Sequence, residues 1–93
     1  FVYTGEGKID GQSLRGKVVI GVAKEAKKKN VDVIAFVGDI EDGVESAYSL
    51  GVSAIFSINR VALPYQMQKP RAKSDLFHTV DDVLRLQKCI ERL

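Results

Sequence analysis

The hydrophobic positions of the chain change their period several times, and each change predicts a new element. Short runs of apolar and β-branched residues predict strands at residues 1–4, 31–37 and 53–58. The run at 31–37 is apolar at almost every position, which is typical of a parallel strand covered on both faces. Helical spacing predicts a helix over residues 14–29, which Asn30 ends in a left-handed conformation. The apolar face of this helix consists of Val18, Val19, Val22, Ala23 and Ala26.

Turn and capping signals fill the connections between these elements. Several glycines among polar residues predict a loop over residues 5–16. Asp42 and Glu45 have the spacing of a capping box, and they predict a short helix over residues 42–50. Gly51 follows this helix directly, in the position where glycine commonly ends a helix.

The last third of the chain shows weaker periodicity. Pro64 and Pro70 bracket a polar, basic stretch, so residues 59–78 are predicted to form a loop or an irregular excursion. Thr79 is a suitable N-cap and predicts a helix from Val80 to the end of the chain. The positions of this helix that are expected to face a core are Val83, Leu84, Ile90 and Leu93.

Strands and helices alternate in the order β-α-β-α-β-loop-α, which predicts an α/β fold with a parallel sheet. The expected architecture has three layers, with helices on both faces of the sheet, as in part of a flavodoxin-like or Rossmann-like domain. Residues 1–93 are expected to form one partial α/β domain. Three strands are few for such a sheet. Either further strands come from outside this chain, or copies of the chain associate as a homo-oligomer through exposed strand edges.

The composition fits one small globular domain and excludes several functional classes. Of the 93 residues, 45% are hydrophobic, which is enough for one thin core. The net charge of +2 does not suggest nucleic acid as a partner, and no apolar stretch is long enough to cross a membrane. The single cysteine cannot form an internal disulfide, which fits the cytoplasm. Because Phe1 lies inside a predicted strand, we expect the chain to be a piece of a longer protein.

Polar residues follow each predicted strand. They are expected to meet at one edge of the sheet, because open parallel sheets bind ligands outside the carboxyl ends of their strands. Carboxylates can hold Mg²⁺ while backbone N–H groups and cations hold phosphate, so this edge suits a phosphorylated ligand. For Asp39 and Asp42 a capping role is favoured, whereas the crowded segment 4–17 is the better candidate for chemistry. The residues expected at this edge are Glu6, Asp10, Asp39, Asn59 and Arg60.

Two nucleotide-binding motifs do not account for this segment. Residues 11–17 match the G-x-x-x-x-G-K pattern of a P-loop, but Val18 stands where that loop needs Ser or Thr for Mg²⁺. Gly5 and Gly7 are followed by Gly11, one residue too late for the G-x-G-x-x-G fingerprint of dinucleotide binding. The P-loop match is therefore interpreted as a coincidence, and the dinucleotide fingerprint is absent.

The segment 4–17 has the sequence T-G-E-G-K-I-D-G-Q-S-L-R-G-K. It resembles the pattern T-G-E-G-(R/K)-x-D-x-Q-(S/T)-x-x-G-K of bacterial glycerate kinases of the glycerate-utilisation type. Residues 61–78 lack the even helical pattern of many members, and Val19 stands where proline is common. The resemblance covers roughly the first two-thirds of the chain, continuing through Gly21-Val22-Ala23, Val33-Ile34-Ala35, Gly38, Gly51, Ala54 and Phe56-Ser57-Ile58.

The resemblance implies a kinase that transfers phosphate from ATP, with Mg²⁺, to a hydroxyl of D-glycerate. It also implies a longer two-domain enzyme, with this chain as the C-terminal part of its α/β domain and inactive on its own. On this resemblance, Asp10 is expected to accept the hydroxyl proton or to hold Mg²⁺, and Glu6 to support it or to contact the substrate. Gly5 and Gly7 would let backbone amides approach a phosphate or the carboxylate. The other expected binding residues are Lys8 and Lys17, which would offset anionic charge, and Gln12 and Ser13, which would orient substrate oxygens.

Two other interpretations stay open. In the first, Asp10 and Ser13 only cap the loop and the helix that follows it. In the second, the chain is a non-catalytic α/β module that binds a small anionic ligand at the same edge. A receiver-type module would need a lysine after a late strand, where this chain has Asn59 and Arg60. A flavin-binding module would need a Ser/Thr-rich phosphate loop, whereas residues 5–16 are acidic and rich in glycine.

Overall fold

The computed structural model contains a three-stranded parallel sheet. Strand β1 (Val2–Ile9) pairs with β2 (Val33–Ile40), which pairs with β3 (Ala54–Ser57), in the order β1-β2-β3. Helix α1 (Lys17–Lys28) connects the first two strands, and helix α2 (Ser46–Ser49) connects the last two. Both strand pairs are parallel, so the predicted α/β class is confirmed.

The structure describes residues 1–10 and 16–93. They divide into two compact units, Phe1–Ser57 and Ile58–Leu93. The first unit contains the sheet with α1 and α2, and the second unit is helical. That the whole chain is one partial domain stays a prediction.

One face of the sheet packs against α1 and α2. Val33, Ala35 and Val37 alternate along β2 and are buried on this face, because successive side chains of a strand point to opposite sides. Burying each valine or isoleucine contributes roughly 1.5–3 kcal/mol, so this cluster is the main source of stability in the first unit. Its buried members are Ile9, Val19, Ala23, Ala26, Val33, Ala35, Val37, Val44, Ala47 and Val52.

Aromatic rings line the opposite face of the sheet. The ring of Phe36 in β2 meets that of Tyr3 in β1 edge to face, with 5.5 Å between the centroids. It also stacks on the ring of Phe56 in β3 at 6.0 Å. Phe36 and Phe56 are register partners, so their contact follows from the parallel pairing. The three strands are therefore joined by side-chain contacts as well as by the backbone ladder.

β1 and β2 extend further than the sequence predicts, and the prediction of a loop beginning at Gly5 is wrong. β1 continues through Gly5 and Gly7, and β2 continues through Gly38. Glycine disfavours an isolated strand, but Gly5 pairs with Phe36 and the parallel ladder runs on past it. A Cβ on Gly38 would lie 2.5 Å from the carbonyl oxygen of Gly7. Glycine is therefore what allows the two backbones to approach so closely here.

The first predicted helix is present but shorter, and its apolar face is partly reassigned. Asn30 has a φ of 57°, so the left-handed stop after α1 is confirmed. Val19, Ala23 and Ala26 are buried, whereas Val18 is 58% exposed and its prediction as a core residue is wrong. The residues at 19, 23 and 26 form the stripe of α1 that packs in the core, and Val18 lies outside this stripe.

The second predicted helix is reduced to a single turn. Residues 42–45 form turns rather than helix, and α2 begins without a side-chain cap. The prediction that Asp42 and Glu45 form a capping box is therefore wrong. Gly51 follows the helix with a φ of 117°, which confirms its role in ending it. A Cβ on Gly51 would also lie 2.5 Å from the carbonyl oxygen of Ala23. This glycine therefore permits both the left-handed turn and the close packing of α2 beside α1.

The second unit is helical over most of the stretch that the sequence predicts to be irregular. Helix α3 (Tyr65–Gln68) leads through a 3₁₀ turn (Lys69–Arg71) into α4 (Ala72–Glu91). Pro64 directly precedes α3 and Pro70 lies at the start of the 3₁₀ turn. Proline is tolerated at such positions because its missing N–H has no partner to lose. The prolines mark helix starts, and the prediction of a loop is wrong from Tyr65 onwards.

α4 begins well before Val80, so the prediction that Thr79 caps this helix is wrong. Thr79 is buried inside the helix, and its Oγ1 donates a hydrogen bond of 2.7 Å to the carbonyl oxygen of Asp75. Of the predicted core positions of α4, Val83 is half-buried, whereas Leu84, Ile90 and Leu93 are exposed and their assignment to a core is wrong.

No helix in the described part of the chain combines the length and the apolar character needed to cross a membrane.

Candidate functional site at the carboxyl ends of the strands

Parallel pairing brings the carboxyl ends of the three strands to one edge of the sheet. β1 ends with Ile9, directly before Asp10, and β2 contains Gly38 and Asp39 close to its end. β3 ends at Ser57. Parallel sheets bind ligands at such an edge, which makes it the candidate functional site.

The two proposed catalytic carboxylates lie on the last part of β1 and just beyond it. Glu6 is half-buried and is paired in register with Val37 of β2. Asp10 is also half-buried and directly follows the strand. Both therefore belong to a segment whose backbone is held by β2 up to Ile9, which pairs with Ile40. A carboxylate that follows a fixed strand end is well suited to a positioned proton transfer.

Lys8 does not stand alone at this edge. Its ammonium group forms a salt bridge with the carboxylate of Glu41, which directly follows β2, and both side chains are partly exposed. The backbone N–H of Glu41 also donates a hydrogen bond of 3.1 Å to the carbonyl oxygen of Ile9. Lys8 and Glu41 therefore join the ends of β1 and β2. An anion that approached Lys8 would compete with a carboxylate already in place.

Gly5 and Gly7, which the resemblance places near phosphate or substrate, both lie inside β1. A Cβ on Gly5 would be 3.1 Å from the carbonyl oxygen of Phe36, whereas a Cβ on Gly7 would meet nothing within 4 Å. The absence of a side chain at Gly5 thus has a structural explanation in strand pairing. At Gly7 the space beside the backbone is open.

The start of α1 lies close to the end of β1. Gly16 caps α1 in a left-handed conformation with a φ of 81°, and a Cβ there would be 3.0 Å from Cγ1 of Ile9. Lys17, the first residue of α1, is exposed at the same end of the sheet. Gln12 and Ser13, the other predicted binding residues, lie outside the described residues.

Arg60 belongs to the second unit and has a partner there. Its Nη1 lies 2.8 Å from Oδ2 of Asp82 in α4. Asn59 is also part of that unit. The expectation that these two residues share an edge with Asp10 therefore stays a prediction.

The described residues place no ready-made metal cage at this edge. Among residues 1–10 and 16–93, no group of three or more His, Cys, Asp or Glu residues could hold a metal ion. Mg²⁺ is often bound by only one or two carboxylates together with substrate phosphates. A carboxylate such as that of Asp10 suits this chemistry, and its role as a Mg²⁺ ligand stays a prediction.

A surface groove of the first unit lies at the other end of α1, beside α2. It has a volume of about 600 Å³ and is open to solvent. Two of its lysines already have partners, because Lys27 donates to the carbonyl oxygen of Ser49 at 2.8 Å and Lys28 to the carboxylate of Glu25 at 3.0 Å. Lys27 thus joins α1 to the end of α2, and the basic residues of the groove lie away from the candidate site.

Sequence reasoning missed two residues at the carboxyl edge. Glu41 pairs with Lys8, and the Oγ of Ser57 donates a hydrogen bond of 2.9 Å to the carbonyl oxygen of Gly38. The signal for both was position, since Glu41 directly follows β2 and Ser57 is the last residue of β3. Recognising them requires the true strand ends, and these lie further along the chain for β2 than the hydrophobic pattern indicates.

Comparison with known proteins identifies the family of this chain. The profile described as the glycerate kinase family matches residues 1–88. The chain belongs to the glycerate kinase family. The resemblance of the segment 4–17 is thereby confirmed. Membership and the names of the relatives support a kinase, and therefore a transferase.

Bacterial relatives show how much of such a protein is present. The chain is 40% identical over 82 residues to the glycerate kinase of Bacillus subtilis (strain 168), covering 88% of this chain and 22% of that protein. It is 50% identical over 58 residues to the glycerate kinase of Halalkalibacterium halodurans, covering 62% and 15%. It is 49% identical over 57 residues to the glycerate 2-kinase of Escherichia coli (strain K12), covering 61% and 15%. The chain thus spans 15% to 22% of these relatives. No solved structure matches it.

Proposed function

We propose that this chain is the C-terminal part of a glycerate kinase that transfers the γ-phosphoryl group of ATP to a hydroxyl of D-glycerate. The observation that carries the proposal is the family match over residues 1–88, which includes the whole carboxyl end of β1. The position of that segment supports it, because the carboxyl edge of a parallel sheet is where such folds bind phosphorylated ligands. The name of the Escherichia coli relative, glycerate 2-kinase, favours the 2-hydroxyl as the acceptor.

In the proposed reaction, Asp10 accepts the proton of the attacking hydroxyl. The hydroxyl oxygen forms a bond to the γ-phosphorus of ATP, the bond from that phosphorus to the bridging oxygen breaks, and ADP leaves. Phosphoryl transfer demands positioning and charge neutralisation more than covalent help. Glu6 orients Asp10 or contacts the glycerate hydroxyls, and the backbone of Gly7 has open space beside it for an anion.

The remaining proposed residues differ in how available they are. Lys17 is exposed and is the cation that we assign to the anionic groups. Lys8 forms a salt bridge with Glu41, so we assign it a weaker contribution to binding the anionic groups. Gln12 and Ser13 are proposed to orient substrate oxygens. In the alternative role of Asp10, its carboxylate would hold Mg²⁺ together with the phosphates instead of accepting the proton, and the ion would neutralise charge on ATP.

The setting of the protein is also part of the proposal. We place the enzyme in the cytoplasm, with D-glycerate as its small-molecule partner and without nucleic acid. β1 and β3 are the outer strands of the three-stranded sheet, and outer strands tend to pair with further strands. Isolated copies of the 93-residue chain are therefore expected to be inactive and to associate through these edges.

The direct test is an assay of ATP consumption with D-glycerate on the full-length protein that contains this chain. We expect glycerate-dependent release of ADP, and we expect NMR spectroscopy of the product to show phosphate on the 2-hydroxyl. L-Glycerate serves as the matched control for substrate handedness. ADP release that is the same with and without glycerate would contradict the proposal. Binding of glycerate without turnover would instead favour a non-catalytic, anion-binding module.

A further inference from the structure

The hydroxyl of Ser57 completes the carboxyl end of the sheet. Ser57 is the last residue of β3 and is half-buried. Its Oγ donates a hydrogen bond of 2.9 Å to the carbonyl oxygen of Gly38 in β2. The register partner of Ser57 is Val37, so the side chain contacts the strand one residue beyond the last paired position. A hydrogen bond from a side chain thus continues the pairing of β2 and β3 one residue beyond their last backbone pair.

Gly38 connects this hydrogen bond to β1. The two backbones are so close that a Cβ on Gly38 would lie 2.5 Å from the carbonyl oxygen of Gly7. In a packed contact of this kind, a shift of one backbone displaces the other. Gly7 lies between Glu6 and Lys8 and belongs to the strand that leads directly to Asp10. The chain of contacts therefore runs from the hydroxyl of Ser57 to the segment that carries both proposed catalytic carboxylates.

We propose that Ser57 is a positioning residue for phosphoryl transfer. Its hydroxyl fixes the carbonyl of Gly38, and Gly38 in turn fixes the end of β1, so that Glu6 and Asp10 are held in place for the reaction. This inference rests on the proposed function. It assigns Ser57 no contact with substrate. Small displacements of reacting groups are costly, since about 1 Å can reduce a rate by about 100-fold.

The opposite end of β3 offers a matched control. The Oγ of Ser53 accepts a hydrogen bond of 3.0 Å from the backbone N–H of Val33 and donates one of 3.2 Å to Oδ1 of Asp32. Ser53 therefore joins the same two strands with the same functional group, but at their amino ends. Ser53→Ala removes a comparable hydroxyl without disturbing the contact between Gly38 and Gly7.

The first test measures steady-state kinetics in the full-length protein. Ser57→Ala is expected to lower kcat for D-glycerate about tenfold, with a change in KM below about threefold. Ser57→Thr keeps the hydroxyl and is expected to restore kcat to within about threefold of the unmodified protein. Ser53→Ala is expected to stay within about twofold. Equal losses of kcat in Ser57→Ala and Ser53→Ala, or no rescue by threonine, would overturn the assignment. If the alanine variant does not fold, Ser57→Cys, a weaker donor, replaces it.

The second test does not depend on activity. Amide hydrogen exchange of the β1 segment is followed by mass spectrometry in the full-length protein, in its unmodified, Ser57→Ala and Ser53→Ala forms. Ser57→Ala is expected to speed exchange of the β1 amides at residues 6–9 by about tenfold, and Ser53→Ala to leave them unchanged. Exchange at residues 6–9 that is the same in all three forms would overturn the positioning role even in an active kinase. Faster exchange in Ser57→Ala together with an inactive full-length protein would contradict only the proposed function.

Discussion

At the carboxyl end of β2, the backbone of Gly38 rests against the carbonyl group of Gly7 so closely that no side chain fits between them. A Cβ on Gly38 would be 2.5 Å from that oxygen, whereas a Cβ on Gly7 would meet nothing within 4 Å. Neither residue has a positive φ, so backbone strain plays no part in the difference. The packing of the two strands therefore requires glycine at position 38 but leaves room for a side chain at position 7.

This asymmetry predicts that Gly38→Ala is far more damaging than Gly7→Ala. The first variant forces β1 and β2 apart and is expected to lower the free energy of unfolding by about 1–3 kcal/mol, the usual cost of overpacking. The second adds a methyl group to open space and is expected to raise the free energy of unfolding by about 0.4–1 kcal/mol, because alanine restricts the unfolded chain more than glycine does. Urea denaturation of both variants measures the difference. Equal destabilisation would show that the close contact does not hold the strand ends together.

The glycines also explain why the sequence misplaces the strand ends. Gly5, Gly7 and Gly38 have low strand propensity, so a pattern-based prediction ends both strands before them. The pairing that keeps them in strands, such as Gly5 with Phe36, is a property of two segments together. A single segment does not contain that information. The carboxylates Glu6 and Asp10 could still be predicted to lie near the carboxyl end of β1, because they follow the predicted strand 1–4 in the sequence.

Among the elements, α4 carries a helical ion pair between Asp81 and Arg85, which lie four residues apart. Nε of Arg85 is 2.9 Å from Oδ2 of Asp81. The hydrogen bond from Arg85 is the main reason that the pKa of Asp81 lies below its usual value. Both groups are exposed to solvent, so salt screens the attraction.

We therefore expect Arg85→Gln to raise the pKa of Asp81 towards its ordinary value. Lys88→Gln is the matched control and is expected to change that pKa less, because Lys88 makes the smallest contribution to lowering it. Because the folded-state pKa is lowered, the ion pair stabilises the helix above the unfolded-state pKa. That stabilisation is lost as pH falls through the folded-state pKa. NMR titration of the Asp81 carboxyl carbon measures this directly. An unchanged midpoint in Arg85→Gln would contradict the assigned cause.

The extent of α4 also shows what a helical pattern can and cannot reveal. Its second half could be predicted from the spacing of Val83 and Ile90, but its beginning at Ala72 could not. Pro70 ordinarily argues against helix, and only its place in the first turn of the 3₁₀ segment makes it compatible. Thr79 is a good cap by type, yet it bonds backwards to Asp75 within the helix.

For the whole molecule, the order of elements was the most predictable property. Alternating strand and helix signals are enough to predict a parallel sheet, and that prediction is confirmed by the pairing of β1, β2 and β3. The division into two compact units is not visible in the hydrophobic pattern. Association of isolated chains through the outer strands stays a prediction. The family match adds what topology lacks, because a parallel sheet alone is compatible with many activities.

The most direct measurement is kcat for D-glycerate in the full-length protein carrying Asp10→Asn, with Asp32→Asn as its control. Asp32 lies at the amino end of β2, and its carboxylate accepts a hydrogen bond from Ser53, a role that asparagine can retain. We expect Asp10→Asn to lower kcat by about 100-fold or more, because the proton acceptor is lost. Asp32→Asn is expected to stay within about threefold of the unmodified protein. A kcat for Asp10→Asn close to that of Asp32→Asn would contradict the assignment of the chemistry to the carboxyl end of β1.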